Sequence, residues 1–495
     1  MPADRYPEAW KRGADPWSAA GPPGPASAGP RARRGLGARP TFLRETARQL
    51  FGTDGIRGVA GEYPLDPATV FCLGQALGEL AGHLAPEPEV LLGMDTRESG
   101  PGLAGQVAAG LATRGVRVRF AGVMTTPGVA YLTRTDSFVA GVMVSASHNP
   151  YRDNGIKVFA HSGYKLDDAQ ERRLEERIFA ARHAAEHSAP RPFEPEPGLS
   201  TRYLDQLASS APFSLEGFRL AVDCGNGAAS LLAPALFKRL GASLEVTANT
   251  PDGRNINRDC GALHPELVRE RVLAAGADLG VAFDGDADRA MFVSRRGRIV
   301  DGDGVLWVAA RWMLAEGRLG GPGAEPVVVA TVMSNLGLER GLAAHGIRLL
   351  RTPVGDRYVL EGMLRTGAVL GGEQSGHVIF REYATTGDGL LTALRVLETL
   401  RETGAGLDEL VEGLKMYPQK RLDVPVRQRR PLAELPAVAA AIQAVETAFG
   451  RDGRALVRFS GTEPVVRVMV EGPETAAVDE HTLRLAEAIR RELGR

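Results

Sequence analysis

The amino-acid sequence predicts an α/β protein built from three similar units and a smaller C-terminal α+β unit. A chain of 495 residues has room for three or four domains, and its 44% hydrophobic residues can supply a core to each. Apolar strand-like runs alternate with helical patterns, which is typical of mainly parallel sheets covered by helices. In each of the three units a strand ends abruptly in polar residues, so we expect ligand-binding loops at the carboxyl ends of strands.

Charge, hydropathy and cysteine content exclude several functional classes. Basic and acidic residues number 59 and 60, so no overall charge favours binding to nucleic acid or to a membrane surface. No run of 18 apolar residues predicts a transmembrane helix. Three cysteines lie far apart and form neither a CxxC pair nor a disulfide framework, which favours a cytoplasmic location; they are Cys72, Cys224 and Cys260.

The first 45 residues differ from the rest of the chain. They are rich in Pro, Gly, Ala and Arg and lack apolar periodicity, so we expect disorder in residues 1–45. Arg33 and Arg34 resemble a twin-arginine export signal, but a glycine-rich segment follows where an apolar core is required, which argues against export. Beyond this extension we expect four domains, at residues 46–198, 199–301, 302–414 and 415–495.

A strand in the first unit leads into a serine-containing loop. The apolar run 138–144 is followed by Ser-Ala-Ser-His-Asn-Pro at positions 145–150. We interpret Ser147 as a nucleophile or phosphoryl carrier; the alternative is a Ser/Asn/Pro turn without chemistry. Upstream, the glycine-rich segment 52–58 contains Arg57, which can supply a planar donor fork to a phosphate, unless it is only an exposed arginine on a tight turn.

The second unit contains a candidate metal site. The apolar strand 279–283 leads into three aspartates at alternate positions, Asp284, Asp286 and Asp288. Without a cation these carboxylates would repel one another, so a bound metal explains the pattern better than a solvated acidic turn does. A calcium loop would require Gly in place of Arg289 and Glu in place of Arg295, and a set of oxygen ligands favours Mg²⁺ instead.

Polar residues also follow a strand in the third unit and form a loop in the fourth. Glu373 and Ser375 alternate after the strand 368–370, so both can project toward one ligand as acceptor and donor for sugar hydroxyls; the alternative is a glycine-rich turn or bulge. In the fourth unit Arg458 and Arg467 flank a loop that contains Ser460, Gly461 and Thr462. This combination suits a phosphate, whereas the alternative is a pair of surface arginines on an edge strand.

Together these features predict phosphoryl transfer to or from a phosphorylated polyol, with Mg²⁺ neutralising charge. The chain from about Leu50 onward resembles the α-D-phosphohexomutase family in six ordered segments, 51–58, 145–150 with 153–157, 284–289, 352–358, 372–377 and 458–467. The resemblance implies a heart-shaped protein with four domains around a central cleft. Three would be similar α/β domains with mixed, mainly parallel sheets, and the C-terminal domain would have an antiparallel sheet. In order, they would be the phosphoserine, metal-binding, sugar-binding and phosphate-binding domains.

The resemblance also implies a role for each candidate residue. Ser147 is similar to the family's phosphoserine, whose phosphate oxygen would complete the magnesium site formed by Asp284, Asp286 and Asp288. The groups implied to assist phosphoryl and proton transfer are Arg57, Lys157 and Arg289, and His148, the loop neighbour of the serine, is expected to orient the loop or a phosphate at the catalytic site. Because cationic neighbours can lower the pKa of a lysine, we expect Lys157 to be the general base or acid. The residues implied to bind the sugar or its distal phosphate are Glu373, Ser375, His377, Arg458, Ser460, Gly461, Thr462 and Arg467.

Within the family, the chain is most similar to members that act on glucosamine phosphates, because Gln374 is a polar amide where relatives acting on other sugars usually have an apolar residue. The implied reaction interconverts glucosamine 6-phosphate and glucosamine 1-phosphate through a phosphorylated Ser147 and a 1,6-bisphosphate intermediate, in the pathway to UDP-N-acetylglucosamine. The implied cofactors are one Mg²⁺ per chain and a hexose or hexosamine 1,6-bisphosphate activator. The implied partner is a small sugar phosphate, with no nucleic acid and no membrane, and a homodimer is compatible with the resemblance.

Two alternatives stay open at this point. A phosphomannomutase or phosphoglucomutase of the same family would share every catalytic motif. A non-catalytic sugar-phosphate sensor on the same fold would be expected to lack the serine, an aspartate or the phosphate-binding residues, all of which are present in this sequence.

Overall fold

The computed structural model describes residues 50–52, 54–182, 190, 193–320, 325–460 and 464–494. The expected disorder of residues 1–45 therefore concerns a segment outside the described residues. Within the described ranges, no helix combines the length and the hydropathy that crossing a bilayer requires. Four sheets follow one another along this part of the chain.

The first unit contains a mixed six-stranded sheet. Its described strands and helices are β1 Phe51–Gly52, β2 Gly55–Val59, α1 Pro67–Gly82, β3 Glu89–Met94, α2 Gly100–Ala112, β4 Arg117–Val123, α3 Thr126–Thr135, β5 Ala140–Val144, β6 Asp153–Ala160 and α4 Asp168–Arg182. The strand order is β1-β2-β6-β5-β3-β4. Strands β4, β3 and β5 are parallel, and β6 continues the sheet antiparallel to β5.

The second and third units repeat this plan with fewer strands. The second has α5 Pro197–Ser209, β7 Arg219–Asp223, α6 Ala229–Arg239, β8 Ser243–Thr247, α7 Pro265–Ala275, β9 Leu279–Phe283, β10 Ala290–Ser294 and β11 Ile299–Val300. The third has α8 Gly302–Ala315, β12 Val327–Thr331, α9 Leu336–Ala344, β13 Arg348–Thr352, α10 Asp356–Thr366, β14 Leu370–Gly372, β15 Val378–Phe380, α11 Gly389–Thr403 and α12 Leu407–Leu410. Their strand orders are β11-β10-β9-β7-β8 and β13-β12-β14-β15.

The C-terminal unit is built differently. Its described elements are β16 Gln419–Pro425, α13 Pro436–Phe449, β17 Arg454–Phe459, β18 Val465–Glu471 and α14 Thr475–Leu493. Both strand pairs of its sheet, ordered β16-β18-β17, are antiparallel. The predicted fold class, with three mixed sheets followed by an antiparallel one, is therefore confirmed.

Three loops occupy the same position in the first three sheets. We call them the serine loop (145–152, between β5 and β6), the metal loop (284–289, between β9 and β10) and the sugar loop (373–377, between β14 and β15). Each connects the last parallel strand to the antiparallel strand beside it. β5 and β9 are buried along their whole length, so the polar side chains lie in the loops that follow these strands.

One strand boundary differs from the prediction. Gly371 and Gly372, which we expected in the sugar loop, are the last residues of β14. A Cβ on Gly371 would lie 2.6 Å from Sδ of Met363 and 2.9 Å from the Val329 carbonyl oxygen. Glycine is required there because helix α10 and the neighbouring strand pack too closely for a side chain.

Hydrophobic packing separates the C-terminal unit from the others. One continuous core includes Met124 of the first unit, Phe237 of the second and Leu394 of the third. The C-terminal unit has its own core, in which Val468 of the sheet packs with Leu485 of the last helix. The position of this unit relative to the rest therefore depends on contacts outside these two cores.

Glycine also permits the close crossing of α1 and α2. A Cβ on Gly110 would lie 2.2 Å from the carbonyl oxygen of Phe71, and a Cβ on Gly74 would lie 2.2 Å from that of Val107. Since both obstacles are backbone atoms, a side chain at either position forces the helices apart.

We expect Gly110→Ala to lower the free energy of unfolding by about 1–3 kcal/mol, the usual effect of an overpacked core. Chemical denaturation monitored by circular dichroism measures this change. Gly102→Ala is the matched control, because Gly102 lies on the same helix and a Cβ there would meet no described atom within 4 Å. Equal stability of the two variants would contradict the proposed steric role.

Candidate active site

Ser147 lies at the centre of the site on a strained backbone. Its φ of 54° is in the left-handed region that residues with side chains usually avoid, and the residue is buried. Its Oγ donates a 2.5 Å hydrogen bond to Oδ2 of Asp284 and lies 3.3 Å from Nδ1 of His148. Backbone strain of this kind costs about 1–3 kcal/mol, which surrounding contacts must offset.

Arg97, which no motif in the sequence singled out, holds the serine loop in this conformation. Its guanidinium is fully buried and pairs with Asp95 at 2.9 Å. It donates hydrogen bonds to four carbonyl oxygens of the loop and its end, those of Ser147 (2.9 Å), Asn149 (2.8 Å), Asp153 (3.0 Å) and Pro150. The available signal was the Asp-Thr-Arg sequence directly after the apolar strand β3, which resembles the polar endings of β5 and β9.

The second unit supports the same loop from the other side. Nδ2 of Asn257 donates to the carbonyl oxygens of Ser147 at 2.9 Å and Asn149 at 3.2 Å. Gly285, in the metal loop, lies so close that a Cβ there would be 2.4 Å from the Ser147 carbonyl oxygen. The serine and metal loops can therefore meet only because this position lacks a side chain.

The three predicted metal ligands converge, with carboxylate oxygens that lie within 4.8 Å of one another. All three side chains are buried, and Oδ1 of Asp286 and Oδ1 of Asp288 have no hydrogen-bond partner among the described residues. Burial, together with the charges of Asp288 and Asp286, raises the pKa of Asp284. A buried set of oxygen donors with unsatisfied lone pairs fits a hard divalent cation such as Mg²⁺.

The remaining oxygen of Asp286 is held by residues of the first unit. Its Oδ2 accepts hydrogen bonds from Nζ of Lys157 at 2.8 Å and from Oγ1 of Thr126 at 2.5 Å. The Thr126 amide also donates to the Asp286 carbonyl oxygen at 3.0 Å. Thr126 thus orients a predicted metal ligand, a role that its sequence position after β4 did not reveal.

The expected lowered pKa of Lys157 is wrong, although Arg57 is one of the cationic neighbours that were expected. Its buried ammonium lies 2.8 Å from Asp286, 3.2 Å from Asp54 and 3.5 Å from Asp288. Burial opposes the charge, but these carboxylates prevail and raise the pKa of Lys157 well above its usual value. Lys157 is therefore a charged ammonium in this arrangement, suited to donating hydrogen bonds to anionic groups.

His148, Arg57 and Arg289 line one cavity next to the serine loop. Burial and the charges of Arg289 and Arg57 lower the pKa of His148 to about 4, so its ring is neutral at neutral pH. Nη1 of Arg57 donates to the Ala146 carbonyl oxygen at 3.0 Å. Among the described residues, Nε of Arg57 and Nε of Arg289 have no hydrogen-bond partner. These two donors fit an anion such as a phosphoryl group.

The sugar loop contributes two side chains to the same cavity, which has a volume of about 400 Å³. Glu373 accepts a 3.1 Å hydrogen bond from the Gly355 amide. His377 is buried, with Nδ1 3.6 Å from Oδ2 of Asp288 and Nε2 accepting from the Gly387 amide at 2.9 Å. Both ring nitrogens of His377 therefore face protein groups. Ser375 is exposed and is not one of the described residues that line this cavity.

The predicted phosphate residues lie on the C-terminal sheet. Arg458 and Arg467 stand directly opposite each other on β17 and β18, so two like charges share one face of the sheet. Burial and the charge of Arg467 lower the pKa of Arg458. Ser460 is buried, and its carbonyl oxygen accepts a 2.5 Å hydrogen bond from Arg429, whereas Gly461 and Thr462 lie outside the described residues. Among the described residues, none from this sheet lines the 400 Å³ cavity.

Known proteins share all four units of this chain. The domains described as Phosphoglucomutase/phosphomannomutase, alpha/beta/alpha domain I, II and III, and C-terminal domain, match residues 48–185, 201–297, 301–417 and 422–488. The phosphoglucosamine mutase of Solibacter usitatus is 58% identical over 448 residues, covering 90% of this chain and 100% of the relative. That of Koribacter versatilis is 51% identical over 461 residues, with 91% and 99% coverage. The chain belongs to the phosphoglucomutase/phosphomannomutase family.

Solved structures share the fold. A phosphoglucomutase/phosphomannomutase family protein from Burkholderia thailandensis superimposes with a TM-score of 0.72 at 28% identity, covering 90% of this chain and 99% of the other. An N-acetylphosphoglucosamine mutase from Aspergillus fumigatus, in complex with GlcNAc-6P and magnesium, has a TM-score of 0.59 at 18% identity, with 90% and 96% coverage. As a family member, the chain is a phosphosugar mutase, an isomerase.

Arg97→Lys tests the support of the serine loop. Lysine can keep the charge pair with Asp95 but cannot replace a fork that reaches four carbonyls. We expect kcat for phosphosugar isomerisation to fall about 100-fold, with KM changed by less than about threefold, because a misplaced reacting group slows chemistry more than binding. Steady-state kinetics measures both constants.

Two further variants make this test specific. Arg119→Lys is the control, since Arg119 forms ion pairs with Glu196 and Glu89 in the same unit but lies outside the serine loop; its kcat should be unchanged. Asn257→Gly removes the second donor and tolerates the φ of 56° found there, so kcat should fall less than in Arg97→Lys. Normal kcat in a folded Arg97→Lys protein, or in Asn257→Gly if the lysine variant does not fold, would refute this role.

Proposed function

We propose that this protein is a phosphoglucosamine mutase that interconverts glucosamine 6-phosphate and glucosamine 1-phosphate. The geometric observation that carries the proposal is the Ser147 hydroxyl held at 2.5 Å from Asp284 beside two carboxylates with free oxygens. The choice of glucosamine is supported by the names of relatives that are 44–58% identical over about 90% of the chain. The site geometry thus supports the phosphoryl transfer, and the relatives support the identity of the sugar.

The proposed reaction begins with phosphorylated Ser147. The bond between phosphorus and Oγ of Ser147 breaks as a bond forms to the C1 oxygen of glucosamine 6-phosphate, and the proton of that hydroxyl passes to the serine oxygen. Lys157 would relay this proton by giving its own to the serine oxygen and taking up the one that leaves the C1 hydroxyl, and Arg57 and Arg289 would stabilise the transferring group. Neutral His148 would orient the phosphoryl group. Asp284, Asp286 and Asp288 would hold one Mg²⁺, which supplies charge neutralisation when bound.

The second half of the proposed reaction reverses the first with the other end of the sugar. The 1,6-bisphosphate turns within the cleft, and its 6-phosphoryl group passes to Oγ of Ser147, releasing glucosamine 1-phosphate. Glu373, Ser375 and His377 would bind the sugar in both orientations. The phosphate that is not reacting would be bound by Arg458, Ser460, Gly461, Thr462 and Arg467.

Further parts of the proposal concern the setting of this reaction. We propose a hexose or hexosamine 1,6-bisphosphate as the activator that first phosphorylates Ser147, and a cytoplasmic role in the pathway to UDP-N-acetylglucosamine. The domain boundaries at 46–198, 199–301, 302–414 and 415–495, and a homodimer, belong to this proposal as well. A phosphomannomutase or phosphoglucomutase is the second candidate, favoured by the family description that the four domains match.

Ser147→Ala should abolish mutase activity, because the phosphoryl carrier is lost, and should leave the circular dichroism spectrum unchanged. In the parent protein, intact mass and peptide mapping after incubation with glucose 1,6-bisphosphate and Mg²⁺ should place one phosphate on Ser147. Ser209→Ala, which changes an exposed serine at the end of α5, is the matched control and should keep full activity. An active Ser147→Ala protein would disprove the phosphoserine mechanism.

Substrate preference distinguishes the two candidate functions. We expect kcat/KM for glucosamine 6-phosphate to exceed that for glucose 6-phosphate and mannose 6-phosphate by at least about tenfold, a difference that one or two polar contacts can supply. Coupled assays at saturating activator and Mg²⁺ measure all three values. A higher value for glucose or mannose 6-phosphate would instead support the second candidate.

A further inference from the structure

Gln374 lies in the sugar loop, but its side chain contacts the C-terminal unit. Its Oε1 accepts a 2.7 Å hydrogen bond from Nη2 of Arg421 on β16. Its neighbour Glu373 lines the 400 Å³ cavity, whereas Gln374 is not among the described lining residues. Glu373 and Gln374 lie in a turn that is closed by a 3.0 Å hydrogen bond from the Gly376 amide to the Glu373 carbonyl oxygen, and the two side chains contact different surfaces.

The sugar-loop backbone gives Gln374 a fixed position. The carbonyl oxygen of Gln374 accepts a 3.1 Å hydrogen bond from the amide of Gly302 at the start of α8. A Cβ on Gly302 would lie 2.0 Å from the Glu373 carbonyl oxygen, so the loop rests directly on the beginning of this helix. The Gln374 side chain therefore projects from a rigid base toward β16.

Arg421 shares a sheet face with the predicted phosphate residues. In the antiparallel register, Asp423 on β16 lies opposite Arg467 on β18, and Arg467 lies opposite Arg458 on β17. Arg421 is two residues from Asp423 and thus on the same face. The opposite face, with Val466 and other apolar residues, packs in the separate C-terminal core. The contact with Gln374 is therefore made by the face that carries Arg458 and Arg467.

A second group of contacts attaches the C-terminal unit elsewhere. Arg454 donates to the Ser334 carbonyl oxygen at 2.7 Å, and Glu471 accepts from the Leu336 amide at 2.8 Å. Ser334 lies in the turn before α9 and Leu336 is the first residue of that helix, so both partners are apart from the sugar loop in sequence. Gln419 on β16 also donates to the Met333 carbonyl oxygen at 3.2 Å, and Arg340 on α9 pairs with Asp452 at 2.6 Å. These contacts all lie at α9 or just before it, so the contact between Arg421 and Gln374 adds a separate attachment at the sugar loop.

We propose that Arg421 and Gln374 form a docking contact that sets the position of the phosphate-binding face relative to the sugar loop. Gln374 then affects substrate binding through the C-terminal unit and does not read the substituent that distinguishes glucosamine from glucose. Arg421 and Gln374 are positioning residues. The kinetic part of this proposal rests on the proposed function, whereas the docking itself does not.

A double-mutant cycle tests the coupling. We expect Arg421→Met and Gln374→Met each to raise KM by about three- to tenfold for glucosamine 6-phosphate, the range expected for loss of one solvent-exposed hydrogen bond. The double variant should be no worse than the more affected single variant, because both substitutions remove the contact between Arg421 and Gln374, whereas Gln374→Met alone also removes the hydrogen bond of Gln374 to Asp301. The ratio of kcat/KM for glucosamine 6-phosphate to that for glucose 6-phosphate should be unchanged in all three.

Lys420→Met is the matched control. It removes a positive charge from the neighbouring position of β16, where Lys420 pairs with Asp479 inside the C-terminal unit, so its KM should equal that of the parent. The proposal would be overturned if the increases in KM multiplied in the double variant. It would also be overturned if Gln374→Met alone changed the ratio of kcat/KM for glucosamine 6-phosphate to that for glucose 6-phosphate. The second result would mean that Gln374 reads the sugar directly.

A distance measurement tests docking without activity. Spin labels on Leu263→Cys and Leu483→Cys, both exposed positions, report the distance between the second and C-terminal units, while the described native cysteines are buried. We expect double electron–electron resonance to show a broader distribution in Arg421→Met and Gln374→Met than in Lys420→Met. Unchanged distributions would overturn the docking contact. A parent protein without activity on any hexose or hexosamine phosphate would refute the proposed function. The distance measurement would still decide whether Arg421 and Gln374 form a docking contact.

Discussion

The confinement of three carboxylates against one serine hydroxyl is the constraint on which the site depends. Two like charges about 4 Å apart repel by about 4 kcal/mol at an effective dielectric constant of about 20, and burial adds a desolvation cost. The chain offsets part of this cost with the buried ammonium of Lys157 and with hydrogen bonds such as that from Thr126 to Asp286. Oδ1 of Asp286 and Oδ1 of Asp288, which have no hydrogen-bond partner among the described residues, define where a cation would bind. Gly285 then lets the serine loop approach that point.

The repeated sheet plan explains how three distant segments reach one place. The serine, metal and sugar loops each join a parallel strand to an antiparallel neighbour, so each unit presents its polar residues at the equivalent edge. Since the units share a hydrophobic core, these edges are fixed relative to one another. Precision at Ser147 therefore comes from the packing of entire sheets, to which Arg97 adds the local hydrogen bonds that a left-handed serine requires.

Patterns within one segment made the fold class and the candidate loops predictable. The strand 279–283 followed by alternating aspartates was visible in the sequence, because the strand and its ligands are contiguous. Relations between segments were not visible in this way. The carboxylates around Lys157 come from Asp54 and from the second unit, so their effect on its pKa was anticipated with the wrong sign. Arg97 lies 50 residues before Ser147 in the chain, and only the fold brings its guanidinium to the loop carbonyls.

The first three units share an apolar core, whereas polar contacts join the C-terminal unit to them. Each kind of attachment suits one requirement of the proposed reaction. Phosphoryl transfer requires the Ser147 oxygen and the predicted metal ligands to stay within a few tenths of an ångström, and a continuous apolar core resists such displacement because separating it exposes hydrophobic surface. A bisphosphate that turns within the cleft requires the distal phosphate site to release and bind again. Hydrogen bonds such as that between Arg421 and Gln374 can be exchanged for hydrogen bonds to water at a net cost of only about 1 kcal/mol each. The unit that must move is thus joined to the others by polar contacts, while its separate core keeps its own sheet intact.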